Sequence, residues 1–211
     1  MLSRKLKVGV VRFPGSNCDF DTINFFKKFG HSASFIWFKD TKLPKVDLIV
    51  LPGGFAFGDR SYKKATGAYI IDPGALAIAA PIMKVLRHAA KQGIPMLGIC
   101  NGFQILVKAG LLPGKLIQND SQKFFCDYVA CEVTGPSFFN DTHMLGKTYS
   151  VPVAHGYGKY FVSKSEATAL KKNKQVFLKY KGFNPNGSAQ NIAGVTNKQK
   201  TIFGMMPHPE R

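Results

Sequence analysis

Residues 95–109 constrain the fold more than any other part of the chain. They begin with a short apolar run, Met96–Ile99, which predicts a buried strand. Residues 103–109 then have helical spacing, and Gly110 supplies a helix C-cap. Between the two, Gly98-Ile-Cys100-Asn-Gly102 has the glycine spacing of a nucleophile elbow, a sharp turn that leads a strand directly into a helix.

An elbow presents its central side chain to a cleft, which makes Cys100 a candidate nucleophile. The unpaired N–H groups and the positive dipole end of the following helix favour a thiolate, and they can also hold an oxyanion. A small buried cysteine at a strand end is the alternative interpretation. The elbow by itself leaves both interpretations open.

The first 51 residues alternate between strand and helix patterns. Strands are predicted over residues 5–13, 33–38 and 46–51, and a helix from about residue 20 to residue 29, with Ser16, Asn17 or Asp19 as its cap. This order predicts an α/β fold with a parallel sheet covered on both faces. A further helix is predicted over residues 81–92, and residues 58–80 are interpreted as a flap over the cleft.

Gly53 and Gly54 follow the third predicted strand. Open α/β sheets bind their ligands at the carboxyl ends of the strands, where bare glycine N–H groups become hydrogen-bond donors. A plain tight turn is the alternative. Because the elbow follows one strand later, we predict an oxyanion hole with one donor from Gly53 or Gly54 and the other from Asn101.

After residue 114 the pattern changes to short alternating segments separated by turn residues. These segments predict antiparallel strands added to the parallel core. They cover residues 125–133, 149–153, 159–162, 176–180, 192–195 and 202–205.

His208 and Glu210 lie close to the end of the sequence, and prolines at positions 207 and 209 hold this segment extended. Residues i and i+2 of an extended segment point to the same side, so the two side chains are predicted to meet. Together with Cys100 they form a predicted Cys-His-Glu triad, in which Glu210 orients His208 and His208 takes the thiol proton. The chemistry of such a triad is acyl transfer through a thioester.

The formal net charge is +17 and the pI is about 9.8, which raises the possibility of a nucleic-acid partner. The lysines are spread along the chain, without a helix-turn-helix or an RNA-binding motif, so a generic basic surface is favoured, and an acidic partner subunit is a third interpretation. Cys126, Cys131 and His143 fit no zinc spacing, and no metal site is predicted. No signal peptide or membrane-length apolar run is present, and we expect reduced thiols in the cytoplasm, with no membrane association.

The motifs around Cys100, His208 and Gly53 resemble those of class I, triad-type glutamine amidotransferases. Further strings resemble the glutaminase subunits of phosphoribosylformylglycinamidine synthases over nearly the whole chain. These strings are Phe13-Pro-Gly-Ser-Asn-Cys-Asp19, Leu51-Pro-Gly-Gly-Phe-Ala-Phe-Gly-Asp59, Ala109-Gly-Leu-Leu-Pro-Gly114, Gln118-Asn-Asp-Ser121, Ala154-His-Gly-Tyr-Gly158, Asn184-Pro-Asn-Gly-Ser188, Asn191-Ile-Ala-Gly194 and Gly204-Met-Met-Pro-His-Pro-Glu-Arg211. The segment after Asp59 is longer than the short form of that family, which puts its role in doubt.

The resemblance implies a flavodoxin-like three-layer α/β fold with added antiparallel strands, as one glutamine amidotransferase type-1 domain over residues 1–211. It implies hydrolysis of glutamine to glutamate and ammonia. The ammonia would pass to a large synthetase subunit that converts formylglycinamide ribonucleotide to formylglycinamidine ribonucleotide in purine biosynthesis, usually with a small third subunit. ATP and magnesium would belong to that synthetase, with no cofactor bound by this chain, and the isolated glutaminase is expected to be latent.

The resemblance also implies a role for individual residues. Cys100, His208 and Glu210 would be catalytic, and Gly53, Gly54 and Asn101 would line the oxyanion hole. Residues near the glutamine pocket would be Gln104, His155, Asn186, Gly187 and Ser188. The alternatives are a stand-alone cysteine amidase, a glutaminase that serves another synthetase, and, more remotely, a nucleic-acid-binding module.

Overall fold

The computed structural model describes residues 4–63, 69–135 and 142–211. The strands are β1 (Lys7–Arg12), β2 (Ser32–Trp37), β3 (Leu48–Leu51), β4 (Arg60–Lys63), β5 (Tyr69–Ile71), β6 (Met96–Ile99), β7 (Lys115–Ile117), β8 (Phe125–Val133), β9 (Thr148–His155), β10 (Lys159–Phe161), β11 (Val176–Tyr180), β12 (Ile192–Thr196) and β13 (Ile202–Met205). The α-helices are α1 (Asp19–Lys28), α2 (Pro81–Lys91), α3 (Asn101–Lys108) and α4 (Lys164–Lys172).

A nine-stranded sheet forms the centre of the molecule, in the order β2-β1-β3-β6-β13-β12-β11-β8-β9. The strands from β2 to β13 pair in parallel, and the strands from β13 to β9 pair antiparallel. The predicted α/β class is therefore confirmed, with antiparallel strands extending the parallel core. Residues 202–205 were predicted as one of the added antiparallel strands, but β13 pairs in parallel with β6 and antiparallel only with β12, so it also belongs to the parallel core. Two small sheets, β7 with β10 and β4 with β5, lie beside it.

The core lies around the parallel strands. Val10, Ile49, Leu51 and Met96 are completely buried. A strand that is covered on both faces has a continuous apolar sequence, which is why β3 and β6 could be located from their composition. A second cluster, which includes Phe177 and Phe203, lies under the antiparallel half of the sheet.

One helix prediction was wrong in detail, and one helix was missed. The residue before α1 is Cys18, and no side chain caps the helix: Ser16 Oγ accepts a hydrogen bond from the Phe13 N–H instead, and Asp19 pairs with Arg12 at 2.6 Å. The helix α4 was not predicted, because its lysine-rich sequence has little apolar periodicity. Its one local signal is a capping box between Ser163 and Glu166.

The segment that was interpreted as a flap contains the antiparallel pair β4 and β5. Its residues 64–68 lie outside the described residues. Ile71, at the end of β5, lines the same pocket as Cys100, so the base of this hairpin borders the cleft. None of the helices in the described part of the chain has the length and apolarity to span a bilayer.

Candidate active site

The predicted elbow is present between β6 and α3. Cys100 has φ 50° and ψ −105°, a conformation that a residue with a side chain adopts only under constraint. A Cβ atom at Gly102 would lie 1.9 Å from the Leu51 carbonyl oxygen, and one at Gly98 would lie 2.7 Å from the Gly102 carbonyl oxygen. Both glycines are therefore required for the helix to approach the sheet this closely.

The Cys100 thiol is buried, and its Sγ donates to the Ala154 carbonyl oxygen at 3.7 Å. Burial raises the pKa of this thiol strongly, and the Asn101 backbone N–H, which hydrogen-bonds the sulfur, opposes this increase only in part. The helix N-terminus was expected to favour a thiolate. In this structure desolvation outweighs it, so the resting group is a neutral thiol that needs a base.

His208 and Glu210 form the predicted pair at the chain end. His208 Nδ1 and Glu210 Oε1 are 2.8 Å apart, and the two side chains are 3% and 2% exposed. Because Nδ1 faces the carboxylate, it carries the proton, and Nε2 keeps its lone pair. His208 Nε2 is buried without a hydrogen-bond partner, which suits a group that waits to accept a proton.

The sheet brings the two halves of the candidate triad to one edge. Met205 of β13 pairs with Ile99 of β6, and the Cys100 N–H donates to the Met205 carbonyl at 2.7 Å. On the other side, the His208 N–H donates to the Pro152 carbonyl of β9. Pro152 lies two residues before Ala154, whose carbonyl accepts from the Cys100 thiol. In this state the Cys100 thiol hydrogen-bonds the Ala154 carbonyl and not the His208 imidazole. Catalytic hydrogen bonds of this type are often formed only when substrate binds.

The two predicted oxyanion glycines have different surroundings. A Cβ at Gly53 would lie 2.5 Å from His208 Cε1, so this glycine makes room for the imidazole. Gly54, with φ +133°, lines the same pocket as Cys100. The Asn101 backbone N–H lies at the Cys100 sulfur, and Gly54 borders the same pocket, so the oxyanion role predicted for these residues stays a prediction.

The pocket above Cys100 has a volume of about 220 Å³. It is small and mostly apolar, with few polar groups, as sites for single metabolites are. Its lining residues are Gly54, Phe55, Gly58, Asp59, Ile71, Pro73, Cys100, Gln104, Phe124, Ala154, His155, Gly156 and Tyr157.

Gln104 and His155 both lie in the wall of this pocket. The Gln104 amide is engaged at both ends, since Nε2 donates to the Tyr157 carbonyl at 2.8 Å and Oε1 accepts from Asn101 at 2.9 Å. Burial lowers the pKa of His155 to about 4, so this imidazole is neutral at physiological pH. Its Nδ1 is buried without a hydrogen-bond partner.

Residues 186–188 do not line the pocket themselves, but Asn186 Nδ2 lies 3.4 Å from Nε2 of His155 in the pocket wall, so they are near the pocket and their predicted substrate-binding role stays a prediction. Asn186 Nδ2 donates to the Gly158 carbonyl at 2.9 Å and to the Tyr180 hydroxyl at 3.1 Å, and Ser188 Oγ donates to Asn186 Oδ1 at 2.6 Å. Gly187 packs against Asp120, whose side chain fills the space of a Cβ. These residues therefore support the 155–158 backbone from behind.

Two residues at the site were missed from the sequence. Asp59 lines the pocket, whereas in the sequence it was only the last residue of the Leu51–Asp59 string and was given no role. Cys18 Sγ, a ring nitrogen of His208 and a carboxylate oxygen of Glu210 lie within 4.8 Å of one another, and burial raises the pKa of the Cys18 thiol to about 11. In the sequence, Cys18 was part of the Phe13–Asp19 string, in the loop that follows β1, and was given no role.

The cysteines considered for a zinc site do not converge. Cys126 is exposed on β8, and Cys131 of the same strand is completely buried. The two positions are five residues apart, so their side chains point to opposite faces of the sheet.

Known proteins share this sequence and this fold. Residues 5–211 match the model of the CobB/CobQ-like glutamine amidotransferase domain. The chain is 42% identical to phosphoribosylformylglycinamidine synthase subunit PurQ of Wolinella succinogenes over 208 residues, which cover 98% of this chain and 91% of that protein. It is 40% identical to the same subunit of a Nostoc species, with coverage of 98% and 88%.

Among solved structures, the chain resembles one of PurLQS from Thermotoga maritima, with a TM-score of 0.84 and 38% identity, covering 99% of this chain and 89% of that one. A glutamine amidotransferase from Thermotoga maritima shares the fold at a TM-score of 0.59 and 16% identity, with coverage of 99% and 77%.

Proposed function

The chain belongs to the CobB/CobQ-like glutamine amidotransferase family, and from this premise we propose that it is the glutaminase subunit of a phosphoribosylformylglycinamidine synthase. In this role it hydrolyses glutamine to glutamate and ammonia. The ammonia is used by a synthetase subunit that converts formylglycinamide ribonucleotide to formylglycinamidine ribonucleotide in purine biosynthesis. One structural observation carries the glutaminase part: Cys100 lies in a strained elbow, on a small pocket, at the sheet edge where the His208–Glu210 pair is buried.

The proposed reaction begins when His208 Nε2 takes the proton of the Cys100 thiol and the sulfur attacks the side-chain amide carbon of glutamine. The oxygen of the tetrahedral intermediate is held by the Asn101 N–H and by the backbone at Gly54. His208 then gives its proton to the leaving nitrogen, and ammonia departs. A water molecule, deprotonated by His208, hydrolyses the thioester and releases glutamate.

Glu210 supports both proton transfers. It holds His208 with the proton on Nδ1, and its negative charge stabilises the imidazolium that forms when Nε2 takes the thiol proton. The thiol is neutral and bonded to Ala154 before reaction, so it must turn toward the imidazole. We propose that binding of substrate and of the synthetase favours this turn, which is the physical basis for the expected latency of the isolated subunit.

We further propose that the partners are a large synthetase subunit and a small third subunit, in line with the solved PurLQS structure that this chain resembles. ATP and magnesium are assigned to the synthetase, because thiol, imidazole and backbone N–H groups supply the nucleophile, the base and the oxyanion donors within this chain. We place the protein in the cytoplasm, where the Cys100 thiol stays reduced.

The test is glutamate release from glutamine, measured for this chain alone and with the large synthetase subunit, formylglycinamide ribonucleotide and ATP. We expect release to rise sharply in the complete mixture and to be abolished by Cys100→Ala. Cys126→Ala, which changes an exposed cysteine on β8, is the matched control and retains activity. Release that is equally fast without the synthetase would identify a stand-alone amidase, and full activity of Cys100→Ala would exclude the mechanism.

A further inference from the structure

Asp59 has a position that the proposed mechanism does not use. Among the described residues that line the Cys100 pocket, Asp59 is the one carboxyl group, and burial keeps the His155 imidazole neutral. Within the described part of the chain, the Asp59 carboxylate has no cationic partner. A carboxylate that faces a small pocket without a counter-ion is suited to bind a cation that enters with the substrate.

The chain holds this carboxylate firmly in place. Asp59 Oδ1 accepts a hydrogen bond from Asn101 Nδ2 at 2.9 Å, while Asn101 Oδ1 accepts from the Ala56 N–H at 3.0 Å. The Asp59 carbonyl accepts from the Asp72 N–H at 2.8 Å, which fixes the base of the hairpin. Asp59 also has φ 52°, in the left-handed region, and such strain persists where the surroundings impose it.

The substrate supplies the matching group. Free glutamine carries an α-ammonium at the opposite end from its reactive amide, and an ammonium that leaves water needs an anionic acceptor. We propose that Asp59 binds the α-ammonium of glutamine while Cys100 attacks the amide. This inference rests on the proposed function, and it assigns the recognition of a free amino acid to one side chain.

The same network links recognition to catalysis. The Asn101 side chain donates to both Asp59 and Gln104, and its backbone N–H bonds the Cys100 sulfur. An ammonium bound to Asp59 therefore orders Asn101, whose backbone N–H also donates to the Cys100 sulfur. Asp59 acts in substrate binding, and its hydrogen bond with Asn101 couples the position of Asp59 to the elbow at Cys100.

The protonation of Asp59 gives the inference a pH signature. Burial raises the pKa of this carboxyl to about 7, against a smaller opposing effect of the Asn101 hydrogen bond. The other titratable groups on the pocket walls are Cys100, His155 and Tyr157. Because only the ionised form binds an ammonium, KM for glutamine is expected to fall as pH rises through about 7.

The test uses Asp59→Asn in the complete synthase. Asparagine has the same shape, tolerates the left-handed backbone and keeps an acceptor for Asn101, so only the charge is lost. We expect kcat/KM for glutamine to fall about 10²-fold, mainly through KM, and the pH dependence of KM near neutrality to disappear. Asp127→Asn is the matched control, since Asp127 is exposed on β8 and does not line the pocket, and we expect it to match the wild type.

A binding measurement separates this inference from the proposed function. In the Cys100→Ala background, we compare calorimetric binding of glutamine with that of 4-carbamoylbutanoate, which lacks only the ammonium. Preference for glutamine is expected with Asp59 and is expected to vanish in Asp59→Asn, even if turnover fails in the wild type. Equal binding of the two ligands before the substitution, or an unchanged KM in Asp59→Asn, would overturn the assignment while leaving glutaminase activity intact.

Discussion

Gly53→Ala displaces the proposed catalytic base, His208, by a distance that follows from the structure. A Cβ at this position would lie 2.5 Å from His208 Cε1 and 3.3 Å from Nδ1, whereas ordinary van der Waals contacts begin at 3.4 Å. The ring must therefore retreat by about 0.9 Å, the difference between 3.4 and 2.5 Å. It has little freedom to do so, because it is 3% exposed and bonded to Glu210 at 2.8 Å.

A displacement of about 1 Å in a catalytic group costs roughly 10²-fold in rate, so we expect kcat to fall about 100-fold. KM is expected to change little, since Asp59 and Gln104 lie on other parts of the pocket wall. Overpacking of this kind destabilises a folded protein by about 1–3 kcal/mol, and the variant is therefore expected to remain folded.

The assay is steady-state glutamate release with the synthetase present, together with urea unfolding of the isolated chain. Gly30→Ala is the control, since Gly30 has φ +82° and a Cβ added there would meet nothing within 4 Å, so the change strains the backbone without touching the triad. We expect the control to lose about 1 kcal/mol of stability and no activity. A wild-type kcat in Gly53→Ala would refute the claim that the position of His208 limits the reaction.

Three further results are expected. Glu210→Gln replaces the acceptor of the His208 Nδ1 proton by a group that can donate, so kcat should drop about 10³–10⁴-fold. Rate measurements over a range of pH give kcat, and circular dichroism checks that the variant is folded. A loss below tenfold would contradict the orienting role of Glu210. Gly102→Ala places a Cβ 1.9 Å from a backbone oxygen and should destabilise the chain by about 3 kcal/mol or more, which urea unfolding measures; native stability would show that the elbow tolerates a side chain. Iodoacetamide at neutral pH should label exposed Cys126 before Cys18, whose pKa burial raises to about 11, and peptide mass spectrometry would reveal the opposite order if Cys18 were ionised.

The parts of the site that the sequence predicted are those defined by local geometry. The elbow depends on one glycine two residues before Cys100 and another two residues after it, and the His208–Glu210 contact depends on the two-residue repeat of extended backbone. The buried parallel strands were recognisable because both of their faces are apolar. Each of these signals lies within about ten residues of sequence.

The parts that were missed depend on contacts between distant residues. Asp59 is placed by an amide 42 positions away in Asn101, and Cys18 is fixed by a backbone bond to the Gly53 carbonyl. Asn186 was expected near the pocket, but the way it is held, with its amide bonded to Gly158, 28 positions away, behind the pocket wall, could not be read from the sequence. Composition and spacing along one chain do not encode which loop faces which, so these positions required the structure.

The central claim is that Cys100 carries the glutamyl group of the substrate, and trapping the intermediate tests it most directly. The synthase is mixed with glutamine, formylglycinamide ribonucleotide and ATP, quenched with acid during turnover, digested and analysed by mass spectrometry. We predict that the peptide containing Cys100 gains the mass of glutamine minus ammonia, and that this adduct is absent in Cys100→Ala. A glutamyl adduct on another side chain, or undiminished turnover by Cys100→Ala, would contradict the account.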